Sequence, residues 1–277
     1  MSQRTVWTVA VLLFGALAAG AYWWLRPAPV PKAPPVAVAP VAPVATAASA
    51  APAIQFPIEA VAPAPQADAA SASGAAPTIA ETLVAALGRA AVLQFLNVDG
   101  FAHRVAATVD NLPRQHAPAQ LWPLHPSAGR FATQATGDGA VIGADNARRY
   151  AAAVGWIESL DMARVAALYR QIYPQLQRAY EELGYPRRYF NDRVVAVIDH
   201  LLETPTLHEP IAVKLADIKG PIQPTRPWVL VEYADADVEA RSAGQKLLLR
   251  TGNANAQRLK IKLRELRAAL APAVKPR

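Results

Sequence analysis

Residues 162–183, MARVAALYRQIYPQLQRAYEEL, predict the longest helix of the chain's folded part. Apolar side chains recur there every three or four residues, which places them on one face of an α-helix. They are Val165, Tyr169, Ile172, Leu176 and Tyr180. Gly184 and Pro186 follow directly and are typical of a helix end. Pro174 lies inside the stretch, so we expect a kink there.

Other helices are predicted on both sides of this one. One begins at Thr78, which forms a capping box with Glu81 three residues later. The others span residues 101–112, 145–159, 190–203, 235–250 and 253–270. Short strands are predicted at 131–135, 140–142, 211–215 and 229–233, the first two forming a hairpin. We therefore expect a mostly α fold, a single helical domain with one or two short β elements.

An uncharged run at residues 6–25, VWTVAVLLFGALAAGAYWWL, precedes this domain. Its length matches a bilayer's hydrocarbon core, and the aromatic residues at its end suit the membrane interface. We expect one transmembrane helix, although a cleaved signal peptide also begins with a basic residue and an apolar run. The basic residues on the two sides of this run are nearly equal in number, so they do not set the orientation of the helix in the membrane. We infer the orientation from the type of segment instead. A signal anchor would leave most of the chain outside the cytoplasm.

Proline, alanine and valine dominate the sequence between this run and Thr78. Such a composition favours an extended spacer without a packed core. We interpret it as a disordered Pro/Ala linker that holds the domain away from the membrane. The predicted organisation is an N-terminal flank (1–5), a transmembrane helix (6–25), a Pro/Ala-rich linker (26–77), an α-rich soluble domain (78–270) and a basic tail (271–277).

The formal charge of +7 is concentrated at the C-terminal end. Ten Lys and Arg residues but one Glu lie from residue 241 onward. A candidate basic surface lies along the last predicted helix and consists of Arg258, Lys260, Lys262, Arg264 and Arg267. This pattern fits a solvated rim of a docked helix, and it also fits contact with anionic lipid, a cell-wall polymer or nucleic acid. Nucleic acid is the weakest of these, because no base-reading motif accompanies the charge.

A polar cluster on the helix at 190–203 is the best candidate for chemistry. Asp192, Asp199, His200 and Glu203 share one side of that helix, and carboxylates beside an imidazole can perform acid–base or metal chemistry. The same side lies opposite the apolar stripe, as the solvent face of an amphipathic helix would.

Five tyrosines form an aromatic series around the helix at 162–183. They are Tyr169, Tyr173, Tyr180, Tyr185 and Tyr189. Rings at helical spacing usually pack in a core, but they can also line a groove for a peptide or a sugar.

The sequence contains no phosphate-binding loop, nucleophile elbow or cysteine. We therefore assign no catalytic, cofactor-binding or metal residue, and we expect no cofactor. Absence of cysteine fits an oxidising compartment without structural disulfides, and it fits the cytoplasm as well.

Four blocks together resemble an uncharacterised bacterial family, the domain of unknown function three-thousand-and-fourteen. The blocks are LQFLNVDGFAHRVAATVDNLPR (93–114), LYRQIYPQLQRAYEELGYP (168–186), FNDRVVAVIDHLLETP (190–205) and SAGQKLLLRTG (242–252). The resemblance implies a single-pass membrane protein with a Pro/Ala-rich linker. It implies no activity and no site residue.

These observations favour an envelope binding or scaffolding module over an enzyme. We expect it in the bacterial inner membrane with its soluble domain in the periplasm, where an envelope protein or a cell-wall polymer would be its partner. One alternative is a periplasmic hydrolase or cell-wall enzyme using the acidic residues and His200. Another is a cytoplasmic-facing binder of nucleic acid or anionic lipid through the basic C-terminal helix.

Overall fold

The computed structural model describes residues 53–58, 77–137, 139–208, 210–216, 225–226 and 229–271, and these are mostly helical. The α-helices are α1 (Ile79–Leu87), α2 (Arg89–Phe95), α3 (Phe101–Asn111), α4 (Ala151–Ser159), α5 (Met162–Glu182), α6 (Phe190–Leu202), α7 (Ala236–Glu239), α8 (Ala243–Arg250) and α9 (Asn253–Leu270). Two 3₁₀ segments span Ala119–Leu121 and Ala144–Tyr150. The predicted transmembrane helix at 6–25 lies outside the described residues, and no helix among those described could cross a membrane.

Helix α5 is the centre of the helical part, as its long apolar stripe predicts. It contacts α1, α3, α6 and α9, and α9 also packs against α4 and α6. Ala166 and Leu176 of α5 are buried in the main core together with Phe190 and Val195 of α6. Two of the predicted series, Tyr173 and Tyr180, are buried in this core and confirm the packing interpretation for those rings.

The β elements form one antiparallel sheet, which corrects the expectation of one or two short elements. Strands β1 (Thr133–Thr136), β2 (Gly139–Ile142), β3 (Ala212–Leu215) and β4 (Val231–Tyr233) lie in the order β1-β2-β3-β4. The predicted hairpin is confirmed, with Thr133 opposite Ile142. Ala140 pairs with Val213, and this long-range pairing joins the hairpin to the later strands.

Local breaks divide two helices that the apolar pattern predicts as continuous. The first begins at the predicted capping box of Thr78 and Glu81, but Gly88 has a φ of +83° and separates α1 from α2. A second break separates α7 from α8, where the hydroxyl of Ser242 accepts the amide of Gln245 and starts a new helix. Both breaks use a residue suited to a helix terminus.

Candidate functional site

A short piece of the predicted linker lies against the domain and is held through its backbone. Both carboxylate oxygens of Asp192 accept amides from it: Oδ2 from Gln55 at 3.0 Å and Oδ1 from Phe56 at 2.8 Å. Hydrogen bonds to a charged carboxylate are stronger than those between neutral groups. The interpretation of 26–77 as a spacer without fixed structure therefore needs correction at residues 53–58.

Asn191, next to Asp192, binds the same segment from inside the core. Its side chain is completely buried, and Nδ2 donates to the carbonyl of Phe56 at 2.9 Å and to that of Leu270 at 3.3 Å. Its Oδ1 accepts from the hydroxyl of Tyr169 at 3.3 Å. One amide therefore connects the linker segment, the end of α9 and the middle of α5.

Tyr189 holds the far end of the segment, because its hydroxyl accepts the amide of Ile58 at 2.7 Å. The ring of Tyr189 lies 5.4 Å from that of Tyr173, centroid to centroid, so the main core supports it. Phe56 and Ile58 are half-buried against that core. We call the surface formed by Tyr189, Asn191 and Asp192 the groove, and residues 53–58 the docked segment.

Gln177 of α5 fixes the turn that presents the groove. Its Nε2 donates to the carbonyl of Arg188 at 2.9 Å, and its Oε1 accepts the amide of Phe190 at 2.8 Å. The latter amide belongs to the first turn of α6 and has no partner within the helix. Gly184, with a φ of +104°, allows the chain to leave α5. The groove residues are consequently placed by a braced connection between two core helices.

Electrostatics suit this arrangement to binding neutral backbone groups. Asp192 lies in the first turn of α6, where the helix dipole favours a negative charge. Burial raises the pKa of the Tyr169 hydroxyl, and the neighbouring Tyr189 adds to the effect. Burial also raises the pKa of Tyr173 well above its ordinary value. Both phenols therefore stay neutral at physiological pH and act as hydrogen-bonding groups.

The structure separates the members of the predicted polar cluster. Asp199 forms an ion pair with Arg267, in which Nη2 lies 2.9 Å from Oδ2. His200 Nε2 lies 2.8 Å from the hydroxyl of the buried Ser242, which caps α8. Glu203 follows the end of α6 and is exposed. Among the described residues, no group of three His, Cys, Asp or Glu side chains could hold a metal ion.

Most of the predicted basic surface is in contact with the domain itself. Lys260 is buried with its amine at the carbonyl of Thr204, and burial lowers its pKa. Lys262 donates to the carbonyl of Leu160 at 3.0 Å and contacts Glu265 at 2.9 Å. Arg258 pairs with Glu158, Arg267 pairs with Asp199, and Arg264 is exposed. These contacts dock α9; anionic lipid and nucleic acid remain predictions.

The helical pattern of the sequence points to Asp192 but not to its partner, the docked segment. A signal existed: Phe56 is the one aromatic residue in the sequence 26–77, and Ile54 and Ile58 are its isoleucines. An isolated cluster of large apolar residues in a Pro/Ala tract is typical of a short binding motif. The tyrosine series also pointed to the site, because Tyr189 is one of the groove residues and Tyr169 bonds to the side chain of Asn191.

Residues 101–267 match a family model described as "Protein of unknown function (DUF3014)". The groove lies within the matched range, and the docked segment precedes it. Neither a curated protein nor a solved structure matches the chain.

Proposed function

The chain belongs to the DUF3014 family of proteins of unknown function, and we propose that it is a membrane-anchored binding and scaffolding module of the bacterial envelope. In this proposal residues 6–25 cross the inner membrane once, the linker follows, and the domain works in the periplasm. Its partner is an envelope protein or a cell-wall polymer.

One observation carries the binding role: the domain binds a short peptide segment through the backbone groups of that segment. Asp192 accepts the consecutive amides of Gln55 and Phe56. Asn191 donates to the carbonyl of Phe56, and Tyr189 accepts the amide of Ile58. The core holds these groups in place. Preorganised hydrogen-bonding groups are typical of a binding site, because they lose little conformational freedom when the peptide binds.

The sequence supports the membrane role. A run of about 20 apolar residues suffices to span a bilayer, and an aromatic edge suits its interface. A Pro-rich linker then allows the domain to work at a distance from the lipid. The anchor would thus set the compartment, and the groove would supply the contact with the partner.

Anchoring is tested by fractionation and a C-terminal reporter. The full chain should sediment with membranes and resist extraction by alkaline carbonate. A reporter that is active only in the periplasm should work when fused after Arg277. Recovery of the full chain in the soluble fraction, or a reporter active only in the cytoplasm, would contradict the proposal.

Scaffolding is tested by crosslinking in cells followed by purification. The wild-type chain should recover a defined envelope component that a fragment of residues 1–52 does not recover. Asp192→Ala is the informative variant, because it alters the groove while retaining the anchor. A wild-type chain that recovers nothing beyond the anchor fragment counts against the binding role.

A further inference from the structure

The docked segment is held more shallowly than the rest of the domain. Ile54 remains 55% exposed, and Gln55 and Pro57 are exposed as well. Only Phe56 and Ile58 pack against the main core, and both are half-buried. A short element with few buried contacts opens locally at much lower cost than global unfolding. The segment can therefore leave while the helical core stays folded.

The contacts define the class of peptide that fits the groove. Phe56 and Ile58 both pack against the main core, and the backbone bends at Gln55 and Phe56, where two consecutive amides bind Asp192. Amides are bound at Gln55, Phe56 and Ile58, while Pro57 occupies the position between them and has no amide to satisfy. The groove thus fits a bent peptide with an aromatic-proline-aliphatic core, preceded by a residue that carries an amide.

Docking also divides the predicted linker. Residues 26–52 lie between the predicted anchor and the docked segment, whereas the undivided linker runs from 26 to 77. At about 3.1 Å per extended residue, these stretches reach at most about 80 Å and about 160 Å. Undocking therefore doubles the largest distance that the domain can reach from the membrane.

We propose that residues 54–58 are a releasable ligand of their own domain, and that a peptide with the same Phe-Pro-Ile core exchanges with them and lengthens the tether. The change in reach rests on the proposed membrane anchor, whereas the exchange at the groove does not. Within one chain the ligand has an effective concentration of about 1 mM, so the docked form dominates until a competitor is supplied.

The exchange is tested with full-length chains in detergent and a labelled peptide, AIQFPIE. Phe56→Ala removes the packed ring of the internal ligand, and Ile54→Ala truncates the exposed neighbour as a matched control. Fluorescence anisotropy should show that the peptide binds the Phe56→Ala chain about tenfold or more tightly than the wild type or the control, because the internal competitor is weakened. Replacing Phe by Ala in the peptide should abolish binding.

Equal binding to all three chains would overturn the exchange. If Phe56→Ala lowers the melting temperature by more than a few degrees, Gln55→Pro replaces it. That variant removes an amide bound by Asp192 and leaves both packed side chains in place. If the peptide does not bind the folded Gln55→Pro chain, the exchange is likewise overturned.

A photoreactive residue at position 55 shows which chain supplies the ligand. We expect the crosslink to form within one chain, so the product keeps the monomer mass. A predominantly dimeric product would overturn an internal ligand and would identify exchange between copies instead.

Reach is measured in lipid nanodiscs. The chain has no cysteine, so a cysteine introduced at the exposed Arg264 takes a single donor fluorophore. Energy transfer to acceptor lipids should fall in the Phe56→Ala chain relative to the Ile54→Ala chain, and equal transfer would overturn the change in reach. A chain that does not insert into nanodiscs would refute only the proposed membrane anchor. The exchange at the groove is tested separately, because peptide binding is measured in detergent.

Discussion

The two ends of α6 carry similar polar residues and use them differently. At the start of the helix, Asn191 and Asp192 bind the backbone of a segment that lies more than 130 positions away in sequence. Near its end, Asp199 and His200 bind side chains of α9 and of the loop before α8. The first end holds the docked segment as well as the end of α9, whereas the second only fixes helices against each other.

Burial explains why the two ends differ in importance. Asn191 is completely buried, and removal of its side-chain amide leaves the carbonyls of Phe56 and Leu270 and the hydroxyl of Tyr169 short of a partner. The Asp199 side chain is 43% exposed and water can replace its partner. Unsatisfied buried groups cost more than lost surface pairs.

The largest effect is expected at Asn191. Asn191→Ala should lower the free energy of unfolding by about 2–4 kcal/mol, because it removes a buried amide from the junction of α5, α6 and α9. Urea unfolding of the full chain in detergent measures this. Asn111→Ala is the control, since that amide makes a single local bond to the carbonyl of Ala107 and should cost less than about 1 kcal/mol. Equal losses in the two variants would show that the buried amide of Asn191 is no more important for stability than a local helix bond.

Packing at the second end is tested next, with Gly244→Ala. An added Cβ would lie 2.5 Å from Cδ2 of Leu201 in α6 and 3.1 Å from the carbonyl oxygen of Leu112. We expect a loss of about 1–3 kcal/mol from overpacking. Gly155→Ala in α4 is the matched control, because its Cβ meets nothing within 4 Å. It should stabilise the chain by about 0.5–1 kcal/mol through helix propensity. A harmless Gly244→Ala would show that α6 and α8 have room to separate.

Local periodicity predicted the helices well because their signals lie within a few residues. The helix at 253–270 is found with the predicted ends, and the Thr78 capping box is present. The joined sheet was not predicted, since β2 and β3 pair across some 70 positions and no local pattern specifies that pairing. Gly88 was missed because an apolar stripe continues across it while its positive φ interrupts the backbone.

The site was predicted only in part, for a related reason. The helical pattern placed Asp192 on the polar side of α6, but it grouped this residue with Asp199 and His200, whose partners differ. The actual ligand lies in a tract whose composition predicts no fixed structure. A contact between an ordered helix and such a tract depends on three-dimensional proximity, which helical spacing cannot supply.

Asp192→Ala tests whether the first end holds its ligand independently of the core. Loss of two charge-assisted hydrogen bonds should raise amide exchange of residues 53–58 about tenfold or more. Exchange in α5 should stay unchanged, and the free energy of unfolding should fall by less than about 1 kcal/mol. Hydrogen–deuterium exchange mass spectrometry resolves the two regions. Faster exchange throughout α5 would mean that the segment and the core open together.

The smallest effect is expected for Asp199→Asn at the second end. Asp199 and Arg267 form an exposed ion pair, and the carboxylate raises the pKa of the guanidinium through its hydrogen bond. Such pairs contribute about 0–1 kcal/mol in water, and salt screens them. Urea unfolding in low and high salt should therefore give nearly equal stabilities for the variant, while the wild type loses its small advantage in high salt. A loss above about 2 kcal/mol, or faster exchange in the docked segment, would show that the two ends of α6 are coupled, because neither result can come from a solvated pair alone.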